Sequence, residues 1–504
     1  MFNAPSLNYV LLAPMLITLG GALIGVLIEA FAPQRSRRTL QLTVTLLALL
    51  AAFIQVIEVR NKPSALAAVT SVVMDKAGIF LQMAIFGIAI LAVLLIADQD
   101  NFTAAASAVP GSSEESSAHQ LGGQHTEIYP LTLFAVSGMA LFAVANDLIT
   151  LFVALEVLSL PLYLMAGLSR RRRLLSQEAA MKYFLLGAFA SAIFLFGAAF
   201  IYGYSGSLNL SAIATSLQAS NNNDVFLLVG TALLAVGLLF KLGAVPFHAW
   251  VPDVYQGSPT PITAFMAACT KIAAVGATLR IFYVAFTASA WSWKPVLTVI
   301  AIITMLGGAI ATILQRDVKR ALAYSSITHA GFLLIGVVAL NQVGLAATLF
   351  YLVTYGLATI GIFGIVTLVR DSSGEVTDLN RWVGLGRKSP VFAAIFSLFL
   401  LSFGGVPLTA GFVGKFTIFT SAYAGGNTAI VIAGALASAI ALFFYFRVVI
   451  MFFFAEPTNS AVSVVIPTSL TRIAIAVPAL ATVVLGVYPP LLFNFIEKFS
   501  LFLR

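Results

Sequence analysis

The sequence predicts an all-α polytopic membrane protein. Its 504 residues are 60% hydrophobic and only 9% charged, whereas soluble domains carry about 25% charged residues. The apolar residues are grouped into about fourteen segments, each close to the roughly 20 residues that a helix needs to span a bilayer. We number the segments in chain order, and their approximate centres are residues 19, 48, 87, 136, 158, 191, 235, 272, 304, 331, 356, 405, 440 and 482.

Basic loops predict the orientation of these segments. The loops after segments 1, 5, 9 and 11 each carry three or four Lys or Arg residues, including the run Arg170–Arg173. Because Lys and Arg accumulate on the cytoplasmic side, these loops are expected to be cytoplasmic and both termini to face outward. The loop from Asp98 to Glu127 is rich in Ser, Ala, Gly and acidic residues, which predicts a flexible cytoplasmic insert to which we assign no role.

A short motif that occurs twice predicts internal repeats. The sequence "GAVPF" at Gly243–Phe247 in segment 7 resembles "GGVPL" at Gly404–Leu408, which lies five segments later. Because five is odd, the second copy must be inverted, which predicts two inverted five-helix repeats: segments 4–8 (residues 127–287) and segments 9–13 (residues 288–454). Residues 1–126 then hold three helices and the flexible loop, and residues 455–504 hold the C-terminal helix.

Proline and glycine predict that segments 7 and 12 are broken helices. Proline removes a backbone donor and clashes with the preceding turn. Paired interruptions in inverted repeats mark sites near the middle of the membrane. The residues expected at these breaks are Pro246, Gly404, Gly405 and Pro407. The carbonyls freed at the second break are expected to face water rather than lipid, and Lys415, eight residues beyond Pro407, is expected about 12 Å farther along the helix.

Four ionisable residues stand out inside apolar segments: Glu156, Lys241, Lys271 and Lys415. Inserting one such side chain at the bilayer centre costs about 2.5–3.5 kcal/mol of free energy on insertion scales. Because simple structure does not need this cost, a functional role is expected. The competing interpretations are that the lysines snorkel to the headgroups and that Glu156 forms a structural ion pair.

Two histidines lie in apolar regions. His329 follows "LAYSSIT" in segment 10, and together with Ser325, Ser326 and Thr328 it forms a polar band. A neutral histidine needs only a small shift to titrate near pH 7. This band is therefore either a hydrogen-bonded helix contact or a hydrated link between the two broken helices, and His248 is a further candidate for proton transfer.

Glu178 and Lys182 stand four residues apart at the start of segment 6. This spacing fits an interfacial ion pair and a further proton-relay step equally well. Asp253 in "WVPDVYQGSP" is expected to cap or turn a loop.

Redox and nucleotide motifs are missing from the sequence. The single cysteine, Cys269, excludes disulfides and a Cys-ligated iron–sulfur cluster, and no nucleotide-binding fingerprint is present. The histidines lack metal-ligand spacing with a third ligand. We therefore expect no cofactor or metal in this chain, and the net charge of +8 reports membrane orientation rather than nucleic acid.

Three stretches resemble the antiporter-like membrane subunits of respiratory complex I. They are "GLLFKLGAVPFHAWVPDVYQGSPTPITAF", "LAYSSITHAGF" and "GVPLTAGFVGKF". The resemblance implies a proton-translocating subunit of NADH:quinone oxidoreductase in the bacterial cell membrane. Its partners would be other membrane-arm subunits and lipids, and redox energy would come from those other subunits.

The same resemblance implies roles for single residues. Glu156 and Lys241 would form a pair, Lys271 would lie on the central hydrated axis, His329 would form a polar link, and Lys415 would lie in the exit half-channel. Two other functions stay open at this point: a subunit of a multisubunit cation/proton antiporter, and a membrane scaffold without transport.

Overall fold

The computed structural model describes residues 7–98, 113, 125–169, 173–219, 225–371, 374–456 and 462–503. Residues 170–172 of the predicted cytoplasmic loop, and residues 99–112 and 114–124 of the predicted insert, lie outside the described residues.

Long apolar helices form most of the described chain. We number them α1 to α14 to match the predicted segments, and every predicted centre except residue 405 lies within one of them. The first seven are α1 Tyr9–Phe31, α2 Gln34–Val59, α3 Lys76–Ile96, α4 Ile128–Val144, α5 Leu148–Ala166, α6 Arg173–Ser205 and α7 Val225–Leu242. The others are α8 Thr260–Ala285, α9 Ala290–Ile313, α10 Val318–Ala339, α11 Gln342–Val366, α12 in two halves (Pro390–Gly404 and Ala410–Ala424), α13 Thr428–Phe453 and α14 Ser469–Val487.

Among the described residues, twelve helices are long and apolar enough to cross a membrane. Two further apolar helices, α4 and the first half of α12, are shorter. The chain is therefore a mostly helical membrane protein with many spans.

The helices form an inner group and an outer ring. The most apolar windows of α8, α10 and α11 are between 89% and 100% buried within the chain, whereas those of α1, α2, α6, α9, α13 and α14 are only 33–39% buried. Apolar surface that the chain leaves exposed on the outer ring suits lipid or partner subunits. Polar side chains on the inner helices are instead surrounded by protein.

Short strands and helices occupy the ends of the bundle. Strand β1 (Ala65–Ala68) pairs with β2 (Val72–Met74), and β3 (Val369–Asp371) pairs with both β4 (Gly374–Glu375) and β5 (Ser463–Val464), all antiparallel. Short helices cover Leu210–Ala219, Trp250–Gly257, Leu379–Trp382, Leu385–Lys388 and Pro490–Ile496. The sequence analysis predicted no strands, because these pieces lie in linkers that are too short for a clear alternating pattern.

The two predicted breaks are present. Helix α7 ends at Leu242 and the first half of α12 ends at Gly404. Each end is followed by a glycine in the left-handed region, Gly243 with φ +78° and Gly405 with φ +79°. Glycine adopts this conformation without the strain that a Cβ brings, and it commonly closes a helix. At Gly405 a Cβ would also lie only 3.0 Å from Lys415 Cδ, so the break and the lysine fit together closely.

Candidate functional site

Three buried lysines form the centre of the site. Lys241, Lys271 and Lys415 are only 4%, 5% and 4% exposed, and their ammonium groups contact protein atoms. The interpretation that these lysines snorkel to the headgroups is therefore wrong. Within the described part of the chain, no carboxylate oxygen lies within 4.0 Å of any of the three ammonium groups.

Lys241, in the last turn of α7, is held by two hydroxyl groups. Its Nζ donates to Ser159 Oγ at 2.8 Å and to Tyr183 OH at 3.1 Å. The Tyr183 ring stacks on Trp250 with centroids 4.5 Å apart. The Trp250 indole in turn donates to the carbonyl of Phe240 at 3.0 Å, which closes the broken end of α7. The aromatic pair thus fixes both the helix end and one partner of the lysine.

Glu156 lies one helical turn before Ser159 on α5. Residues three apart share a helix face, so the carboxylate lies on the side of α5 that meets Lys241. Glu156 Oε1 is buried and has no hydrogen-bond partner among the described residues. Glu156 and Lys241 are therefore not in direct contact, and the hydroxyl of Ser159 takes the position next to the ammonium group.

Lys271, on the fully buried helix α8, is bound by one serine of α10. Its Nζ donates to the Ser326 carbonyl at 2.5 Å and to Ser326 Oγ at 2.6 Å. The same Oγ accepts a hydrogen bond from Tyr355 OH at 2.9 Å and lies 3.4 Å from Tyr255 OH. The Tyr355 ring lies 5.2 Å from Nζ, so its face also stabilises a positive charge there.

A small cavity separates Lys241 from Lys271. It is large enough for about one water molecule. Tyr183, Tyr255 and Thr270 are among the residues that line it. Thr270 Oγ1 is buried and has no partner in the described part of the chain. The hydroxyl groups in its lining provide the hydrogen-bond partners that a buried water requires.

His329 lies on α10, one turn beyond Ser326. Its Nδ1 is 2.5 Å from Tyr351 OH. Its ring is 4.9 Å from the rings of both Tyr355 and Phe403. Nε2 is buried and unpartnered in the described chain. His329 is thus a hydrogen-bonded helix contact on one ring nitrogen, and the other nitrogen has no protein partner among those residues.

Lys415, in the second half of α12, reaches back to the break in its own helix. Its Nζ donates to the carbonyls of Phe403 at 2.6 Å and Gly404 at 3.3 Å, and to Ser438 Oγ at 2.8 Å. It also lies 4.6 Å from the centroid of the Phe332 ring. The lysine therefore caps carbonyls that the end of the first half-helix leaves unpaired.

This geometry corrects two expectations about α12. The carbonyls at the break were expected to face water, but those of Phe403 and Gly404 accept bonds from protein donors. Lys415 was expected about 12 Å beyond Pro407 along a helix. Its side chain instead folds back, so the ammonium group lies at the break itself.

Glu178 and Lys182 form the ion pair that their spacing allows, at 2.6 Å. Lys182 also bonds Asp253 at 2.6 Å, and Asp253 bonds Arg320 at 2.7 Å. Asp253 therefore bridges α6 and α10 from the short helix Trp250–Gly257, and the expectation that it caps or turns a loop is wrong. His248 follows the break in α7, and its Nδ1 is buried with no partner among the described residues.

Sequence reasoning missed the tyrosines and one charged pair. Tyr183, Tyr351 and Tyr355 give no special signal, because an uncharged tyrosine does not stand out in an apolar segment as an ionised residue does. Arg280 on α8 is fully buried and forms a bidentate pair with Asp75, with both N–O distances 2.8 Å. The rule that identified the four intramembrane charges would have identified Arg280 as well.

Comparisons with known proteins assign this chain to one family. The family described as "NADH:quinone oxidoreductase/Mrp antiporter, TM" matches residues 145–441. NADH-quinone oxidoreductase subunit N of Rhodococcus opacus (strain B4) is 52% identical and aligned over 99% of this chain and 97% of its own length. A chain of respiratory complex I from Thermus thermophilus is 31% identical with a TM-score of 0.79, covering 96% of this chain and 99% of its own length. A chain of the Mrp complex from Dietzia sp. DQ12-45-1b also has a TM-score of 0.79, with 97% and 96% coverage, but at 23% identity it shows the fold alone.

Proposed function

The chain belongs to the antiporter-like membrane subunits of respiratory complex I, with relatives named subunit N, and on that basis we propose that its buried lysines carry the protons it moves. As a subunit of the membrane arm of NADH:quinone oxidoreductase, it translocates protons and contacts other subunits of that complex. The side chains that carry these protons are what we propose here. The proposal also holds that the chain needs no cofactor of its own and that partner subunits supply the redox energy.

The proposed path begins at Lys241 and ends at Lys415. A proton held by Lys241 passes through the small cavity to Lys271, then by way of Ser326 and Tyr355 to His329, and finally to Lys415. The steps from Lys271 through Ser326 to Tyr355 follow hydrogen bonds. Lys241 and Lys271 line one cavity, and the rings of Tyr355 and His329 are in contact with centroids 4.9 Å apart. Among the described residues, no hydrogen bond joins His329 to Lys415. There the aromatic ring of Phe403 packs on the histidine while its carbonyl binds the lysine, so this step needs water or a side-chain movement.

Glu156 is proposed to switch the first lysine. A nearby negative charge favours protonated lysine, whereas burial opposes it. When the ammonium group of Lys241 moves from Ser159 to Glu156, the lysine holds its proton. When the side chain returns to Ser159, the proton can leave. Glu178, Lys182 and His248 are proposed as further relay groups, and the ion pair of Lys182 with Asp253 also joins two helices.

One observation carries the proposal. Lys241, Lys271 and Lys415 are buried in the bundle, and within the described chain hydroxyls and carbonyls hold their ammonium groups in place of carboxylates. A permanent structural charge in a low-dielectric interior normally has an ionic partner. Lysines without such partners suit groups that gain and lose protons.

Orientation and repeats complete the proposal. We propose fourteen crossings in the bacterial cell membrane, two inverted five-helix repeats around the breaks in α7 and α12, and both termini on the outer side. The basic loops support this orientation. The alternative of a cation/proton antiporter subunit has weaker support, because the similarity to the Mrp chain is limited to the fold.

Ser326→Ala tests the central step. Lys271 keeps the backbone carbonyl but loses the hydroxyl that links it to Tyr355, so proton translocation per NADH oxidised is expected to fall severalfold in assembled enzyme. The matched control is Ser397→Ala, because Ser397 is buried and its hydroxyl has no partner among the described residues. Equal pumping in the two variants would remove Ser326 from the path.

Cysteine labelling tests the orientation. Arg172→Cys should not react with an impermeant thiol reagent in right-side-out vesicles and should react after the membrane is opened. The native Cys269 is fully buried and provides little background. Ready labelling in closed vesicles would reverse the proposed topology.

A further inference from the structure

The buried pair of Asp75 and Arg280 lies outside the proposed relay. Asp75 caps the start of α3 and accepts from the backbone N–H of Gly78 at 2.8 Å. Arg280 lies near the other end of α8 from the Ser258–Thr260 turn, and its Nε donates to the Ala143 carbonyl at 3.1 Å. The side chains of Asp75 and Arg280 are 1% and 0% exposed, so protein encloses both charges.

The last described residues of the chain cover this pair. The backbone N–H of Leu503 donates to Asp75 Oδ2 at 3.0 Å. The ring of Phe502 lies 4.8 Å from the guanidinium carbon of Arg280. The carbonyl of Leu501 accepts from the backbone N–H of Ala77 at 3.1 Å. A segment of five residues, Phe499–Leu503, thus binds the ion pair through a backbone donor and an aromatic face.

Helix α8 connects the covered pair to the central lysine. Arg280 is nine residues beyond Lys271, about 13 Å along the helix. Polar groups occur in the region between them. Thr278 is buried on α8, and Gln82 of α3 is 0% exposed with its Oε1 unpartnered in the described chain. Leu81, beside Gln82, packs against Gly276, so this part of α3 faces the stretch of α8 between the two cations.

We propose that the Asp75–Arg280 pair and segment Phe499–Leu503 form a seal. It keeps water, and therefore protons, from passing directly between Lys271 and the membrane face on which this segment lies. A fixed arginine is suited to this position, because its guanidinium fills a narrow polar passage and does not release a proton near neutrality. Asp75 holds the guanidinium in place, and the C-terminal segment excludes water from both. This inference rests on the proposed relay, in which a proton on Lys271 must move sideways toward Lys415.

Phe502→Ala tests the seal without removing either charge. The whole enzyme is incorporated into liposomes, a potassium diffusion potential is imposed without NADH, and passive proton influx is followed with an internal pH dye. The variant is expected to raise the influx severalfold, because water gains access to Arg280. The matched control is Leu501→Ala, because the side chain of Leu501 is 62% exposed and only its backbone carbonyl bonds the pair's surroundings. The proton influx of this control should equal that of the unmodified enzyme.

Deletion of residues 499–504 is the second variant, and it should leak at least as much as Phe502→Ala. Adding Lys271→Ala to Phe502→Ala should abolish the extra influx, because the passage would then lack its central proton acceptor. Unchanged influx in assembled Phe502→Ala overturns the seal, and so does leakage that persists without Lys271. Passive influx is measured without turnover, so this result is independent of whether the relay variants still pump.

Discussion

Glu156→Gln is expected to lower proton translocation per NADH oxidised by roughly tenfold or more, with the complex still assembled. The amide has nearly the shape of the carboxylate but no charge. A carboxylate about 4 Å from an ammonium group, at an effective dielectric constant of about 20, contributes about 4 kcal/mol. That is about a thousandfold in the preference of a lysine for its charged form. Without it, Lys241 has only the hydroxyls of Ser159 and Tyr183 in both states of the proposed switch.

The measurement is proton uptake by inverted membrane vesicles, normalised to NADH oxidation and to the amount of assembled enzyme. Lys241→Ala should cause a similar loss, and the double variant should lose little more, because groups that act as a unit are not additive. Glu58→Gln is the control, since Glu58 is an exposed carboxylate at the end of α2. Full pumping in a well-assembled Glu156 or Lys241 variant would refute the switch.

The positions of the helices follow from the sequence because the membrane imposes them. A bilayer of fixed thickness requires apolar runs of a fixed length, so the predicted centres lie within helices. The one exception, residue 405, lies in the break of α12. There the run "FGGVPL" places Pro407 two residues after Gly405, which adopts a left-handed conformation. Both residue types predict a helix break from the sequence alone.

The partners of the lysines do not follow from the sequence. Whether Lys241 contacts Glu156 or Ser159 depends on the rotation of α5 and on the lysine rotamer, and both residues share one helix face. The same holds for Lys415, whose side chain turns back to the carbonyls of Phe403 and Gly404. Helix periodicity gives the faces that meet, but it does not fix contacts at the scale of one hydrogen bond.

Lys415→Arg is expected to impair proton translocation much as Lys415→Ala does. The structure gives Lys415 two possible roles, as a cap on the broken helix and as a proton carrier. Arginine keeps the positive charge and the donors that the carbonyls of Phe403 and Gly404 need, but it does not release a proton near neutrality. The arginine variant therefore preserves the cap and removes only the proton carrier.

The two variants differ in their expected effect on stability. Lys415→Ala removes a donor from the carbonyls of Phe403 and Gly404, and a buried group left without its partner costs about 1–3 kcal/mol. Less assembled enzyme is therefore expected for Lys415→Ala than for Lys415→Arg, and pumping must be normalised to assembly. The control is Lys388→Ala, because Lys388 is exposed at the end of the short helix Leu385–Lys388. If assembled Lys415→Arg pumps normally, Lys415 is a fixed helix cap, and the proton path must end at another group.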